Sequence, residues 1–413
     1  MNVPLTVMIA VFVLIAVRKI GRVTVRIWHS MTAGALIVLL TGDISVHDAL
    51  KAIDLDVMVF LAGMFIVGQT LVASGYLYFI SYRLFSRIQS VSQLILAVLF
   101  GSAFGSALLM NDTLAIIGTP LVLRLAREHK INNSLLLLTL AYAITIGSVM
   151  TPIGNPQNLL IVRHAGFASP FSAFFTSLAL PSLFNLGLTY LILRRVYRKQ
   201  FTKETPLCHG PVELIDKKLA KAARLSLILL IGSITANLVL PELGSSIRME
   251  LSHIAVLSAL PPLLYNSNRI QLLKSLDWPT LVFFASMFVL TASVWQTGVL
   301  QDWVADLHVD VSSLPAVLLL SAALSQLISN VPLVALYLPL LPHAHAEISM
   351  ALAAGSTIAG NFLILGAASN VIIVQHAEKH KASLGFFEFA RLGIPLGLLN
   401  LLIYGIWFRY GIR

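Results

Sequence analysis

The chain has 413 residues, of which 57% are hydrophobic and only 11% charged, with a mean hydropathy of +0.87. A water-soluble protein of this length needs far more charge to cover its surface, so the composition excludes a soluble globular domain and indicates a bilayer protein. The net charge of +10 would suit nucleic acid, but the Lys and Arg positions argue for membrane topology, and the single cysteine, Cys208, excludes an intramolecular disulfide or a multi-cysteine metal site.

The first apolar run, 4–17, is followed by Arg18, Lys19, Arg22 and Arg26 rather than preceded by positive charge, so it is expected to be a retained span, not a cleaved leader. Further spans are expected at 28–42, 56–75, 133–163, 176–193, 224–240, 251–265, 279–297, 348–376 and 390–408, many of them long enough to cross or enter a hydrocarbon core of ~30 Å. Two more stretches, 92–126 and 313–342, are apolar but broken at their centres by Asn111-Asp112 and by Ser329-Asn330-Val331-Pro332. Neither break is a charged surface loop. Each stretch is therefore expected to be a re-entrant hairpin that enters and leaves by one face.

Charge supports this reading. With both stretches as hairpins and 18–27 in the cytoplasm, every Lys and Arg except Lys51, Arg163, Arg248, Arg409 and Arg413 falls on the cytoplasmic side, as the positive-inside rule requires. Making either hairpin a simple span would invert every later loop. The first hairpin then opens to the cytoplasm and the second to the outside. The segment 194–224 is expected to be a solvated basic cytoplasmic connector, with Cys208 a bystander, in a protein of the inner (plasma) membrane.

The chain also repeats. Asp54, Phe60, Met64, Phe65 and Gly75 align with Asp277, Phe283, Met287, Phe288 and Gly298 without a gap. Asn111 and Pro120 align with Asn330 and Pro339. Thr145, Gly154, Asn158 and His164 align with Thr357, Gly366, Asn370 and His376. The topology starts one copy outside and the other inside, so the repeats are inverted, an architecture that puts a binding site at the repeat interface. The expected organisation is N-terminal spans at 1–50, repeat one at 51–200, a linker with two connecting spans at 201–271, and repeat two at 272–413.

Chemistry is expected where the helices break. A hairpin tip at lipid depth leaves peptide groups that protein, water or solute must complete. Asn111, with Thr113, and Asn330, with Ser329, mark the two tips. Thr151-Pro152-Ile153-Gly154-Asn155-Pro156-Gln157-Asn158 cannot remain regular helix. Its partner is Gly366-Ala367-Ala368-Ser369-Asn370, and freed carbonyls at both breaks can coordinate Na⁺. Asp112 is the one acidic residue inside an expected apolar segment, at a cost of at least ~2.5–3.5 kcal/mol. It either carries a proton or cation or caps the second limb of its hairpin. His164 and His376 suit membrane-interface anchoring, and His343-Ala-His345-Ala-Glu347 suits an external loop.

These motifs together, Asn111-Asp112-Thr113, the 151–158 run, Ser329-Asn330-Val331-Pro332 and 366–370, resemble the ion transporter superfamily. The resemblance is to the branch of arsenite permeases, sodium–proton antiporters of the same fold and uncharacterised inner-membrane permeases, related to the divalent anion–sodium symporters. It implies an all-α membrane protein of about ten transmembrane helices and two re-entrant hairpins, working as an elevator. In the symporters a Ser-Asn-Thr tip in each repeat contacts substrate and sodium. Here Met110-Asn111-Asp112 and Ser329-Asn330-Val331 keep both asparagines and neither threonine. A fixed charge at Asp112 would repel a dicarboxylate, which favours a neutral or weakly acidic solute such as arsenous acid, or direct cation–proton exchange. The expectation is a proton-coupled secondary transporter of a small ion or oxyacid. The alternatives are a sodium–proton antiporter, a sodium-coupled carboxylate or sulfate symporter, or a channel-like pore. No enzyme activity, no nucleic acid partner and no cofactor beyond a coupling Na⁺ or H⁺ is expected, and relatives of this fold imply a homodimer.

Overall fold

A computed structural model of the chain describes residues 2–17, 19–20, 23–24, 27–85, 88–201, 214–243, 249–266, 268–299, 302, 310–341 and 346–411. Among the described residues the regular structure is helical apart from a short antiparallel ribbon, Lys19–Ile20 against Val23–Thr24. Cys208, His343 and His345 lie outside the described residues.

The helices form two groups. The first contains α1 (Val3–Val17), α2 (Ile27–Leu40), the short α3 (Val46–Ala52), α4 (Leu55–Ala73) and the amphipathic α5 (Tyr76–Phe85). The second begins with α6 (Val91–Leu109) and α7 (Asn111–Glu128), then α8 (Asn133–Ser148), α9 (Pro156–Ala165) and α10 (Pro170–Val196). After α11 (Arg198–Phe201) the chain returns to the first group with α12 (Lys217–Glu242), α13 (Leu251–Tyr265), α14 (Arg269–Lys274) and α15 (Trp278–Gln296). It ends in the second with α16 (Leu314–Ile328), α17 (Asn330–Tyr337), α18 (Ala346–Ile358), α19 (Ala368–Lys379) and α20 (Phe386–Tyr410). Within the first group α4 packs on α13, α13 on α12, and α15 on α2; within the second, α6 and α7 pack on α8 and α16 on α18. Among the described residues, six helices are long and apolar enough to cross a membrane: α4, α6, α10, α12, α15 and α20. Their outer faces carry apolar side chains to match lipid, such as Phe104, Phe184, Ile228 and Leu402.

Small residues set the tightest crossings, as they do between helices in lipid. A Cβ at Gly147 would lie 2.2 Å from the Ala103 carbonyl oxygen, so α8 meets the α6 backbone directly there. A Cβ at Gly63 would lie 2.9 Å from the Ala255 carbonyl oxygen, where α4 crosses α13.

Both interrupted stretches turn back. Tyr337 donates its hydroxyl to the Val311 carbonyl at 2.7 Å. In an uninterrupted helix those residues would be about 39 Å apart. A Cβ at Gly105 would sit 3.2 Å from Leu114 Cδ1, whereas nine residues of straight helix span about 13.5 Å. Each reversal is made by one residue. Met110 (φ 71, ψ 146) and Ser329 (φ 68, ψ 159) occupy corresponding positions with nearly the same strained backbone.

Several boundaries differ from the sequence reading. The tips are narrower than the motifs suggested, because Asn111, Asp112 and Asn330 already belong to the returning helices. The expected breaks are present: 133–163 is α8, a non-helical stretch and α9. The span 348–376 is α18, two 3₁₀ turns (Ala359–Asn361 and Ile364–Gly366) and α19. Part of the basic connector 194–224 is helical, since α12 begins at Lys217 and carries Lys218, Lys221 and Arg224. Lys and Arg are good helix formers with heads that reach water, so a high charge count did not mark a loop.

Candidate functional site

The first helix break is built by its own amides. Asn155 caps α9 by accepting the Asn158 N–H at 2.9 Å, with Pro156 as the first helical residue. Its Nδ2 donates to the Ser148 carbonyl at 3.2 Å. Asn158 Nδ2 donates to Ser148 and Thr151 carbonyls at 3.1 and 2.8 Å. Gly154 is required by close approach, because a Cβ there would lie 2.2 Å from the Ser148 carbonyl oxygen.

This break holds the first hairpin tip. The Gly154 carbonyl accepts the Asn111 N–H at 2.8 Å, and Thr151 donates its hydroxyl to the Ala107 carbonyl at 2.5 Å. The second break repeats the pattern. Asn370 Nδ2 donates to the Gly360 carbonyl at 2.5 Å, and a Cβ at Gly366 would lie 2.6 Å from the Ala359 oxygen. Gln326, on the second hairpin, donates to that same Ala359 carbonyl at 2.8 Å. Ala367 continues the break as extended, buried backbone leading into α19.

The two breaks meet. Asn155 Nδ2 and Gln157 Nε2 each donate to Thr357 Oγ1 at 3.2 Å, and a Cβ at Gly360 would lie 3.4 Å from Thr145 Cγ2. The returning limbs cross between repeats, with α7 against α19 and α17 against α9. Both tips and both breaks therefore belong to one buried centre.

The polar inventory of this centre is one-sided. The buried oxygens Thr113 Oγ1, Gln157 Oε1, Asn158 Oδ1, Ser325 Oγ, Gln326 Oε1, Ser369 Oγ and Asn370 Oδ1 have no hydrogen-bond partner among the described residues. Leaving a buried polar atom unpaired costs about 1–3 kcal/mol. Segments 107–114, 148–158, 325–333 and 357–370 contain no Lys, Arg or His. The set suits a hard cation or a solute that donates hydrogen bonds.

The two tip asparagines behave alike. Asn111 Oδ1 accepts the Asp112 N–H at 2.9 Å and Asn330 Oδ1 accepts the Val331 N–H at 3.0 Å, so each carbonyl braces its own tip. Ser329 lies beside Asn330 with Oγ 3.4 Å from its Oδ1. Asp112 is 7% exposed, and its carboxylate makes no hydrogen bond or ion pair among the described residues. It does not cap α7, since it lies in the first turn with Met110 at the cap position. The aligned N–H groups of that turn favour its negative charge but do not neutralise it.

Thr145, Thr357, Gln157 and Gln326 join the centre without having been selected from the sequence as site residues. The signal for the threonines was their matched position in the repeat. Gln326 was visible as a lone amide three residues before the second tip. His164 is exposed at the end of α9, with its ring 3.3 Å from the Leu341 carbonyl, and Glu347 is exposed, so neither reaches this centre.

Known proteins share this architecture. An uncharacterised transporter of Mycobacterium tuberculosis (strain ATCC 25618 / H37Rv) is 27% identical over 433 residues, covering 99% of this chain and 98% of its own length. A protein of Oryza sativa subsp. japonica named silicon efflux transporter LSI3 is 26% identical over 469 residues, covering 95% of this chain and 93% of its own. The crystal structure of the Alcanivorax borkumensis YdaH transporter superposes with a TM-score of 0.60 at 18% identity, over 99% of this chain and 97% of that one. The citrate transporter family (CitMHS) matches residues 11–349. With hairpin-forming apolar helices and this span of agreement, the chain belongs to the CitMHS family of membrane transporters.

Proposed function

We propose that this protein is a secondary active transporter of a small, weakly acidic inorganic oxyacid, arsenous acid being the reference case, coupled to H⁺ or Na⁺. The observation that carries this reading is Asp112, a buried carboxylate at a hairpin tip with no hydrogen-bond or ion-pair partner among the described residues. Such a charge needs a cation or a proton to be tolerated at that depth. The surrounding oxygens suit a solute rich in O–H donors. The absence of basic residues from the tips and breaks disfavours a multiply charged carboxylate. The likeness to a protein named for silicon efflux supports the same class, because silicic acid is also a small, weakly acidic oxyacid.

The mechanism follows from the two helix groups. The group of α1, α2, α4, α12, α13 and α15 acts as a scaffold. The hairpins and broken helices move against it as an elevator, each tip closing the centre on one side. The inverted repeats, from 51 to 200 and from 272 to 413, supply the two tips. The protein sits in the inner membrane with its basic segments cytoplasmic, and the scaffold group is the face available for a homodimer. A second reading, direct Na⁺–H⁺ exchange, is favoured by the oxygen-only ligand set.

The test is uptake of labelled arsenite, Na⁺ and succinate by the purified protein in proteoliposomes, under imposed pH and Na⁺ gradients. Gradient-driven arsenite movement is expected. Na⁺ movement alone would select the second reading, and gradient-driven succinate uptake would contradict both.

A further inference from the structure

A second carboxylate faces the first tip from the scaffold group. A small cleft lies between α4 and α7, lined by Gly68, Gln69, Thr113 and Asp277, with apolar walls from Phe65, Ile116 and Ile117. Asp277 caps α15, accepting the Thr280 N–H at 3.3 Å and its hydroxyl at 2.6 Å. A carboxylate has about four acceptor positions, so this cap leaves capacity free. Asp112 immediately precedes Thr113 in the first turn of α7, and Thr113 lines this cleft together with Asp277. Thr113 is 4% exposed and its Oγ1 has no hydrogen-bond partner among the described residues. No Lys, Arg or His lines the cleft.

The repeat supplies a comparison within the same chain. Asp54 occupies the position of Asp277 in the first repeat and caps α4 in the same way. There Arg163 neutralises it, with Nε 3.4 Å from Asp54 and Nη1 3.0 Å from Asp56. The residue aligned with Arg163 in the second repeat is Gln375. The same alignment sets Asp112 against Val331 and Gln69 against Ala292. At Asp54 the acid carries a resident arginine, and the tip of the second repeat has Val331 where the first has Asp112. At Asp277 the arginine is gone, the facing tip carries a second acid, and an amide has been added beside them. Each departure from symmetry adds oxygen donors or removes positive charge on one side only.

We infer that Asp277, Asp112, Thr113 and Gln69 form a binding site for a small hard monovalent cation across the boundary between the scaffold group and the first hairpin. This inference rests on the reading of Asp112 as a coupling carboxylate and extends it by naming a fixed partner. A cation there ties the hairpin to the scaffold; without it, two like charges face each other across a boundary the hairpin must cross. The site links cation occupancy to the position of the moving group.

The test is titration of the full-length protein in detergent with NaCl, balanced by choline chloride at constant ionic strength, read as intrinsic tryptophan fluorescence or a shift in Tm. Asp277→Asn retains a good helix cap while removing the charge. It is expected to weaken the apparent Na⁺ affinity by about tenfold, the effect of losing one charged ligand at a half-buried position. Gln69→Ala, which installs the second-repeat residue, is expected to weaken it about threefold. Asp54→Asn is expected to leave it unchanged. Unaltered Na⁺ affinity in Asp277→Asn, or no saturable response to Na⁺ in the native protein, would overturn the inference. The two readings separate through Asp112→Asn. Loss of binding there with retention in Asp277→Asn removes only the second carboxylate, whereas retention in Asp112→Asn removes the coupling role itself.

Discussion

At the scale of single residues, the centre is held by side chains that are expensive for any other purpose. Thr113 hides a hydroxyl with no partner among the described residues beside a hairpin tip. Thr113→Val keeps the shape and removes the unmet group, so stability in detergent is expected to be unchanged or to rise by up to about 1 kcal/mol. Na⁺ affinity is expected to fall in the same variant. A variant that loses stability and keeps its affinity would make Thr113 a packing residue. Met110 offers a second test, because its backbone (φ 71, ψ 146) lies close to a region that is essentially glycine-only. Met110→Gly relieves that strain but deletes a fully buried side chain, and the deletion outweighs the relief, so a net loss of about 1–3 kcal/mol is expected, seen as a lower Tm. The paired asparagines, Gly154 and Asp112 were legible in sequence because unusual residues in an apolar run have few reasons to be there. Thr357 and Gln157 were not, since their roles depend on two breaks 200 residues apart meeting, which no local pattern records. Asp277 read as a helix start and became a site candidate only when the cleft placed it opposite the first tip.

At the scale of elements, the hairpins decide the fold, and the sequence carried them through charge rather than propensity. The reversals are invisible to hydropathy, since 92–126 and 313–342 are long enough to pass for spans. Only the side on which later Lys and Arg fall required them to turn back. The pivots at Met110 and Ser329 were legible only to within a residue or two, because nothing in either side chain announces a positive φ. The short helices α3, α5 and α14 were missed because they are brief and carry polar faces. The first reversal can be tested by cross-linking. In a Cys208→Ser background, Gly105→Cys with Leu114→Cys is expected to form a disulfide or a short bifunctional bridge readily. Failure to cross-link in folded protein would return 92–126 to a simple span. The α6–α8 crossing makes a separate prediction. Gly147→Ala forces a Cβ against the Ala103 backbone, so a loss of about 1–3 kcal/mol is expected, read as a lower Tm.

At the scale of the whole molecule, two structurally matched halves enclose one centre, and their departures from symmetry gather at the first tip. A symmetric device would bind the same group from both sides. This one places its tip acid on one hairpin, neutralises Asp54 with Arg163, and leaves Asp277 open. On the proposed reading, that distribution would tie solute movement to a cation from a defined side, which is what a coupled transporter needs and an open pore does not. The most direct measurement is arsenite accumulation against its concentration gradient in proteoliposomes under an imposed pH or Na⁺ gradient, comparing the native protein with Asp112→Asn. The native protein is expected to accumulate solute, while the variant, still folded by its Tm, only equilibrates it, with gradient-driven flux reduced by about a hundredfold. Accumulation by Asp112→Asn equal to that of the native protein would contradict the account.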